Sequence, residues 1–306
     1  SQMNANFGIL FLLNFVIKIT ALIDEPVALW TEPYVWKFPG GTLDYLPLTE
    51  NRALNKGWTM VSVPKIHSNL KVYCPYFDKT VCVMIDSIDR IVGVTIMILK
   101  NDTRTNNSPY KFNESPWFTE VEVNWKKYYL IKIFFVDHNH IKNPEYKQEI
   151  ASFGNMIRIV GKNRTKLEVP PKEPELVKNF WEKQNCVQNR GTHYTYSNVN
   201  DTNCNNYLPV TILVKNKEIV GFAFIIPGSY HTGYMPYFEK TYSNILKERL
   251  PNMPNCLRNW KKYEYSSIYI DLVPLGYIKA CGANDSVNSP SGLKKFMNSF
   301  TNLFKG

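Results

Sequence analysis

The stretches VCVMIDSIDRIVGVTIMIL at 81–99 and PVTILVKNKEIVGFAFIIP at 209–227 decide the fold class. Each is an apolar run, a polar turn (SIDR or KNKE) and a second apolar run entered through Ile-Val-Gly. β-Branched runs of strand length broken by a polar turn are the pattern of a β-hairpin. A glycine inside the return run marks a bulge or a close backbone approach. The two stretches align without a gap at a spacing of 128, which places Gly93 on Gly221.

Working outward, the pentapeptide NWKKY occurs at 124–128 and again at 259–263, each copy followed by a β-rich run. Its spacing of 135 implies seven extra residues between hairpin and pentapeptide in the second half. Its tryptophan is expected to pack and its lysines to be solvated. Upstream of the hairpins, His67 precedes Cys74 and His193 precedes Cys204. The same features in the same order point to two diverged copies of one unit. The copies are bounded at 22–144 and 145–306, and His67 and His193 are expected to be equivalent. Further strands are read at 57–64, 69–74, 121–125, 129–137, 156–160 and 267–273, and helices at 175–184 and 238–250. The fold class is therefore mostly β, a β-rich α+β chain of two tandem, diverged sheet or sandwich-like units with a few helices. The last of these is an amphipathic helix at 291–305, where Leu293, Phe296, Met297, Phe300, Leu303 and Phe304 share one face.

The ends and the cysteines speak to compartment. Residues 7–17 are apolar apart from Asn14, too short to span a bilayer and suited to a secretory leader ending near Ala21. Residues 1–21 are read as that signal peptide, with Ser1 and Gln2 an addition ahead of Met3. Six cysteines in no metal-binding spacing favour disulfides. Locality predicts Cys74–Cys82, Cys186–Cys204 and Cys256–Cys281. Sequons at Asn101, Asn106, Asn113, Asn163, Asn200 and Asn284 lie in polar, turn-like settings suited to N-glycosylation. No later segment is long and apolar enough for a membrane span. The expectation is a secreted, disulfide-bonded glycoprotein.

The net charge of +10 is spread as pairs of lysines, which favours an extracellular protein, glycan or anionic surface as partner. No nucleic-acid reader motif appears. No cofactor is required by any motif: nucleophile elbow, HExxH, P-loop and dinucleotide fingerprint are all absent. Two chemical resources remain. Histidines His67, His138, His140, His193 and His231, with Met235, are the candidate ligands for copper or zinc in an extracellular metalloenzyme, because an HxH pair on a strand presents both rings to one face. Tyr194, Tyr196, Tyr230, Tyr234 and Tyr237 are candidates for a binding surface. The leading reading is a binding or interaction protein. The alternatives are the metalloenzyme and a membrane-active effector acting peripherally through 291–305.

Overall fold

The computed structural model describes residues 30–281 apart from 32, 39–40, 101–109, 138, 140, 142–153, 155, 198–203, 231–236, 254–263, 275–276 and 278–280. The expected leader, the C-terminal helix and the second NWKKY lie outside the described residues.

The first half of the chain runs β1 (Tyr34–Lys37), β2 (Thr42–Tyr45), α1 (Glu50–Asn55), β3 (Trp58–Val61), β4 (Lys71–Pro75), β5 (Val81–Ile85), β6 (Ile91–Leu99), β7 (Thr119–Val123) and β8 (Lys126–Phe134). The second half runs β9 (Ile157–Val160), β10 (Lys166–Val169), α2 (Glu173–Lys178), β11 (Trp181–Val187), β12 (Gly191–Tyr196), β13 (Val210–Lys215), β14 (Glu218–Pro227), β15 (Glu239–Thr241), α3 (Ser243–Arg249) and β16 (Tyr265–Asp271). Strands dominate, in two antiparallel sheets of eight. One sheet has the order β10-β9-β8-β6-β5-β4-β3, with β7 also on β8. The other has the order β2-β1-β16-β14-β13-β12-β11, with β15 also on β16.

The two paths are the same path eight strands apart, with the opening hairpin β1–β2 standing where strands seventeen and eighteen would be. Each half contributes hairpin, helix, four-stranded meander, short strand and long strand. Each half's hairpin completes the other half's sheet: β1 pairs β16 and β9 pairs β8. The sheets therefore do not follow a division of the chain at 144/145.

Local chemistry repeats with the topology. Thr49 caps α1, its side chain accepting from Arg52 N at 3.3 Å. Both helices open on a glutamate, Glu50 or Glu173, that accepts a hydrogen bond from a tyrosine hydroxyl of the meander, Tyr73 or Tyr194. Both end on a left-handed residue, Gly57 at φ 74° and Phe180 at φ 64°, followed by a buried tryptophan, Trp58 or Trp181. The helix expected at 175–184 thus stops at Lys178, because Phe180 reverses the backbone and β11 begins. The helix expected at 238–250 is a short strand, β15, and then α3. The strand period governs its first residues because Glu239–Thr241 pair with β16.

The paired hairpins are out of step by one residue on the outgoing strand. Ile85 pairs Ile91 around the longer turn closed by Asp86 and Arg90, whereas Lys215 pairs Glu218 around the two-residue turn Asn216–Lys217. Met84 thus corresponds to Leu213, each opposite its Ile-Val-Gly glycine. A slip of one exchanges the faces of a strand. Along β4 and β12, Val72 pairs Met84 and His193 pairs Leu213. His193 therefore corresponds to Val72, and not to His67, which lies in the β3–β4 loop.

The sheets face each other across one continuous core. Phe118 meets Phe224 and Phe135 meets Phe222, with centroids 6.2 and 6.3 Å apart. Tyr110 Oη donates to Tyr207 O at 2.8 Å, and Trp30 Nε1 to Ile219 O at 2.9 Å. Disulfide Cys74–Cys82 closes the β4–β5 loop. Cys186 is bonded to Cys281, and not to Cys204, which also overturns the expected Cys256–Cys281; Cys281, beyond β16, lies beside Cys186 of β11, a long-range pairing that locality does not favour. Cys204 is also disulfide-bonded, and the described residues contain no free cysteine; Cys256 lies outside them. Among the described residues no helix is long and apolar enough to cross a membrane.

Candidate anion-binding cleft

The long strand β8 has two partners on one edge: β7 along Lys126–Leu130 and β9 along Lys132–Phe134. Where those partners diverge, the sheet edge opens. A chamber of about 350 Å³ is lined by Lys65, Lys132, Lys162, Arg164, Phe118 and Glu120, among others. It adjoins an open cleft of about 790 Å³ over the outer face of β8, β9 and β10, and Lys65, Lys132 and Arg164 line both.

Strand alternation places these residues. Ile131 and Ile133 of β8, and Ile157 and Ile159 of β9, point into the core. Lys132, Phe134, Arg158 and Val160 consequently face outward into the cleft, as do Lys166 and Glu168 of β10. The β3–β4 loop supplies Lys65, Ile66 and His67 as the facing wall. The two spaces together hold six Lys and Arg side chains against the three carboxylates Glu120, Asp137 and Glu168.

The cations are poorly compensated. Lys132 Nζ donates to Lys65 O at 3.1 Å, and Lys65 Nζ to Glu120 O at 3.1 Å, so both ammonium groups are oriented by backbone carbonyls. Burial, and then the neighbouring Lys65, hold Lys132 below the usual lysine range. Burial likewise lowers Arg158, against the raising influence of Glu168, its partner across the β9–β10 ladder, and of Asp137; its guanidinium stacks on Phe134 at 5.1 Å and its buried Nε has no partner. A bound anion would relieve each of these penalties.

The corresponding place on the other sheet is filled. Phe134 pairs Arg158 as Asp271 pairs Tyr34, each beside its close-approach glycine, Gly93 or Gly221. There the guanidinium of Arg190, from the β11–β12 turn, sits 4.2 Å from the centroid of Trp36 and 4.0 Å from that of Tyr269. Asp271 accepts from Trp36 Nε1 at 2.6 Å. Burial raises the carboxyl of Asp271 to about 6, against the lowering influence of Arg190. Arg249 donates to Glu239 at 3.1 Å and to Tyr269 Oη at 3.1 Å. One sheet thus carries its own cation, stacked between two rings; the other keeps cations beside open space.

Of the histidines expected to hold a metal, the two among the described residues lie in different settings. His67 is exposed on the cleft wall. His193 is sealed under Tyr269, with Nδ1 3.2 Å from Gly191 O, and burial lowers it to about 3. His138, His140, His231 and Met235 lie outside the described residues. Among the described residues no three His, Cys, Asp or Glu side chains group as metal ligands do. The tyrosines expected at a surface are mostly core. Tyr194, Tyr230 and Tyr237 are buried, the last donating to Asp44 at 2.8 Å; Tyr196 is half-buried against Trp181. Aromatic chains in this fold fill the space between two sheets and cap their polar ends inside. Tyr234 lies outside the described residues.

Sequons Asn113 and Asn163 are exposed and both line the inner chamber; Asn101, Asn106, Asn200 and Asn284 lie outside the described residues. Sequence reading missed the cleft because its six cations come from four separate segments, Lys65, Lys132, Arg158 and the stretch 162–166, and only strand register assembles them. No family model, curated protein or solved structure matches the chain.

Proposed function

We propose that the protein is a secreted, N-glycosylated binding protein, made of two copies of one unit, that takes a sulfated oligosaccharide in the cleft over β8, β9 and β10. The excess of cations over carboxylates there carries the reading, above all Lys132, which is partly desolvated with a backbone carbonyl as its partner, and Arg158, whose burial outweighs the influence of Glu168 and Asp137. A sulfated sugar offers repeated anions at a spacing a groove can follow. The disulfides and the absence of a membrane-crossing helix among the described residues are compatible with an extracellular setting.

Calorimetric titration with a heparin oligosaccharide tests it. Binding is expected to weaken steeply with salt. Lys132→Met and Arg164→Glu are each expected to weaken it by at least about tenfold, the effect of about 1.4 kcal/mol. Lys132→Met removes a partly buried charge and keeps the stem, so the variant should remain as stable as the parent. Enzymatic removal of glycans at Asn113 and Asn163 is expected to strengthen binding, since both asparagines line the chamber. No binding, or binding indifferent to both substitutions, would refute the assignment.

A further inference from the structure

The first NWKKY has a tip that neither the core nor the cleft uses. Val123 pairs Lys126, so Asn124 and Trp125 form a two-residue hairpin turn, with φ of 50° and 63°. Two positive φ values are the geometry that Asn-Gly serves, because glycine adopts it without strain. Here the second position is a tryptophan, the bulkiest side chain, in a region where a bulky residue is an outlier. Nothing in the fold repays that placement: Trp125 is 94% exposed. A strained backbone that holds out the largest aromatic side chain is a feature expected of contact sites, not of turns.

An aromatic pair stands at the same end of the sheet. Tyr76 and Phe77 lie edge to face, 4.5 Å between centroids, and are 64% and 73% exposed. They occupy the β4–β5 loop closed by Cys74–Cys82 and held by Lys79 Nζ, which donates to Pro75 O and Tyr76 O. That loop meets the sheet where β6 ends and β8 begins: Thr80 O accepts from Met97 N at 2.9 Å, and Leu99 pairs Tyr128. Exposed Lys126 and Lys127 follow the tryptophan, and Val123 and Glu122 stand opposite them in the β7–β8 ladder, so one carboxylate faces the two lysines there.

We propose that this end of the sheet docks on an anionic phospholipid surface, with Trp125 inserted at headgroup level, Tyr76 and Phe77 beside it, and Lys126 and Lys127 on the phosphates. Projecting aromatic tips ringed by lysine match the interfacial region of a bilayer, where amphipathic rings and cationic heads are both accommodated. A protein partner would call instead for a broad, complementary face around the anchor. The surface is separate from the cleft, so either proposal can fail without the other.

The test uses the full chain and vesicles of phosphatidylcholine with phosphatidylserine, beside vesicles of phosphatidylcholine alone. The parent protein is expected to sediment with the mixed vesicles and to show tryptophan quenching by brominated lipid. Trp125→Gly is the informative variant, because glycine suits the turn: it should melt no lower than the parent and yet bind at least about tenfold more weakly. Trp125→Phe should restore part of the binding while losing the quenching. Tyr76→Ser with Phe77→Ser should weaken binding further, and Lys132→Met should leave it unchanged. Failure of the parent to bind, or a Trp125→Gly variant that binds as well as the parent, would overturn the proposal.

Discussion

At Phe180 the chain pays a local conformational penalty that its counterpart avoids. Gly57 and Phe180 occupy the same place after their helices, at φ 74° and 64°, and Phe180 is 59% exposed. A phenylalanine there carries left-handed strain of about 1 kcal/mol that glycine would not. Phe180→Gly is therefore expected to raise unfolding free energy by about 1 kcal/mol in urea, whereas Gly57→Ala should lower it by a similar amount. The buried His193 gives a pH signature. Its folded value of about 3 lies below the ordinary 6.5, so the unfolded chain binds the extra proton, and stability present above pH 6.5 is lost as pH falls toward 3. Asp271 acts in the opposite sense: its folded value of about 6 lies above 3.8, so its contribution falls as pH rises from about 4 to about 6. Between pH 4 and 6 the two slopes nearly offset each other, and from 6 to 6.5 the histidine's prevails, so stability of the parent should change little and end slightly higher at pH 6.5. In His193→Gln the histidine's opposing slope is gone, so stability should fall with rising pH across the same window relative to the parent. An unchanged slope in urea titrations at several pH values would remove His193 as its source.

At the scale of elements, the hairpins were legible because the strand period and Ile-Val-Gly are local signals. Gly93 and Gly221 bear out the expectation of close approach: a Cβ would stand 2.3 Å from Ile133 O and 2.5 Å from Ile270 O. Both contacts are with backbone of a central strand, which cannot move aside cheaply. Gly93→Ala and Gly221→Ala should each cost about 2 kcal/mol or more, read as a lowered urea midpoint with an unchanged slope. The one-residue slip was not legible, because an ungapped alignment cannot tell a three-residue turn from a two-residue one. A better signal was present: ENRALNKGW at 50–58 and EPELVKNFW at 173–181 place glutamate and tryptophan at identical separation. It stayed hidden because the helical period of 175–184 drew Trp181 into a helix, while the register makes it the first residue of a strand. The cleft was illegible for a different reason. Lys65, Lys132, Arg158 and Arg164 make no cluster in sequence, and a lysine within an apolar strand reads as an ordinary solvated position until its neighbours are known.

The whole molecule is defined by the reciprocal exchange of hairpins, a long-range pairing that no local pattern encodes. Sheet one ends on β9 and β10 from the second half, and sheet two on β1 and β2 from the first. Without those hairpins, the free edge of β8 would be bare over Lys132–Phe134 and that of β16 over Ile270–Asp271. Bare edges of central strands are templates for aggregation. The hairpins also carry core residues, Val35 on one side and Ile157 and Ile159 on the other, so each half alone would open its own interior to water. The located disulfides do not bind the halves together, because Cys74–Cys82 and Cys186–Cys281 each lie within one half. The halves are thus separable in principle and interdependent in energy. Expressed separately, split between 144 and 145, neither is expected to give a folded monomer; expressed together, they should assemble into a one-to-one complex with the circular dichroism of the intact chain. Because β1–β2 and β9–β10 fill equivalent places, the first half alone has one further route, placing its own hairpin on a second copy's β8. Size-exclusion chromatography with light scattering distinguishes these results. A stable monomer from either half would show that its sheet closes without the borrowed hairpin, and the exchange would then be incidental to stability and not its basis.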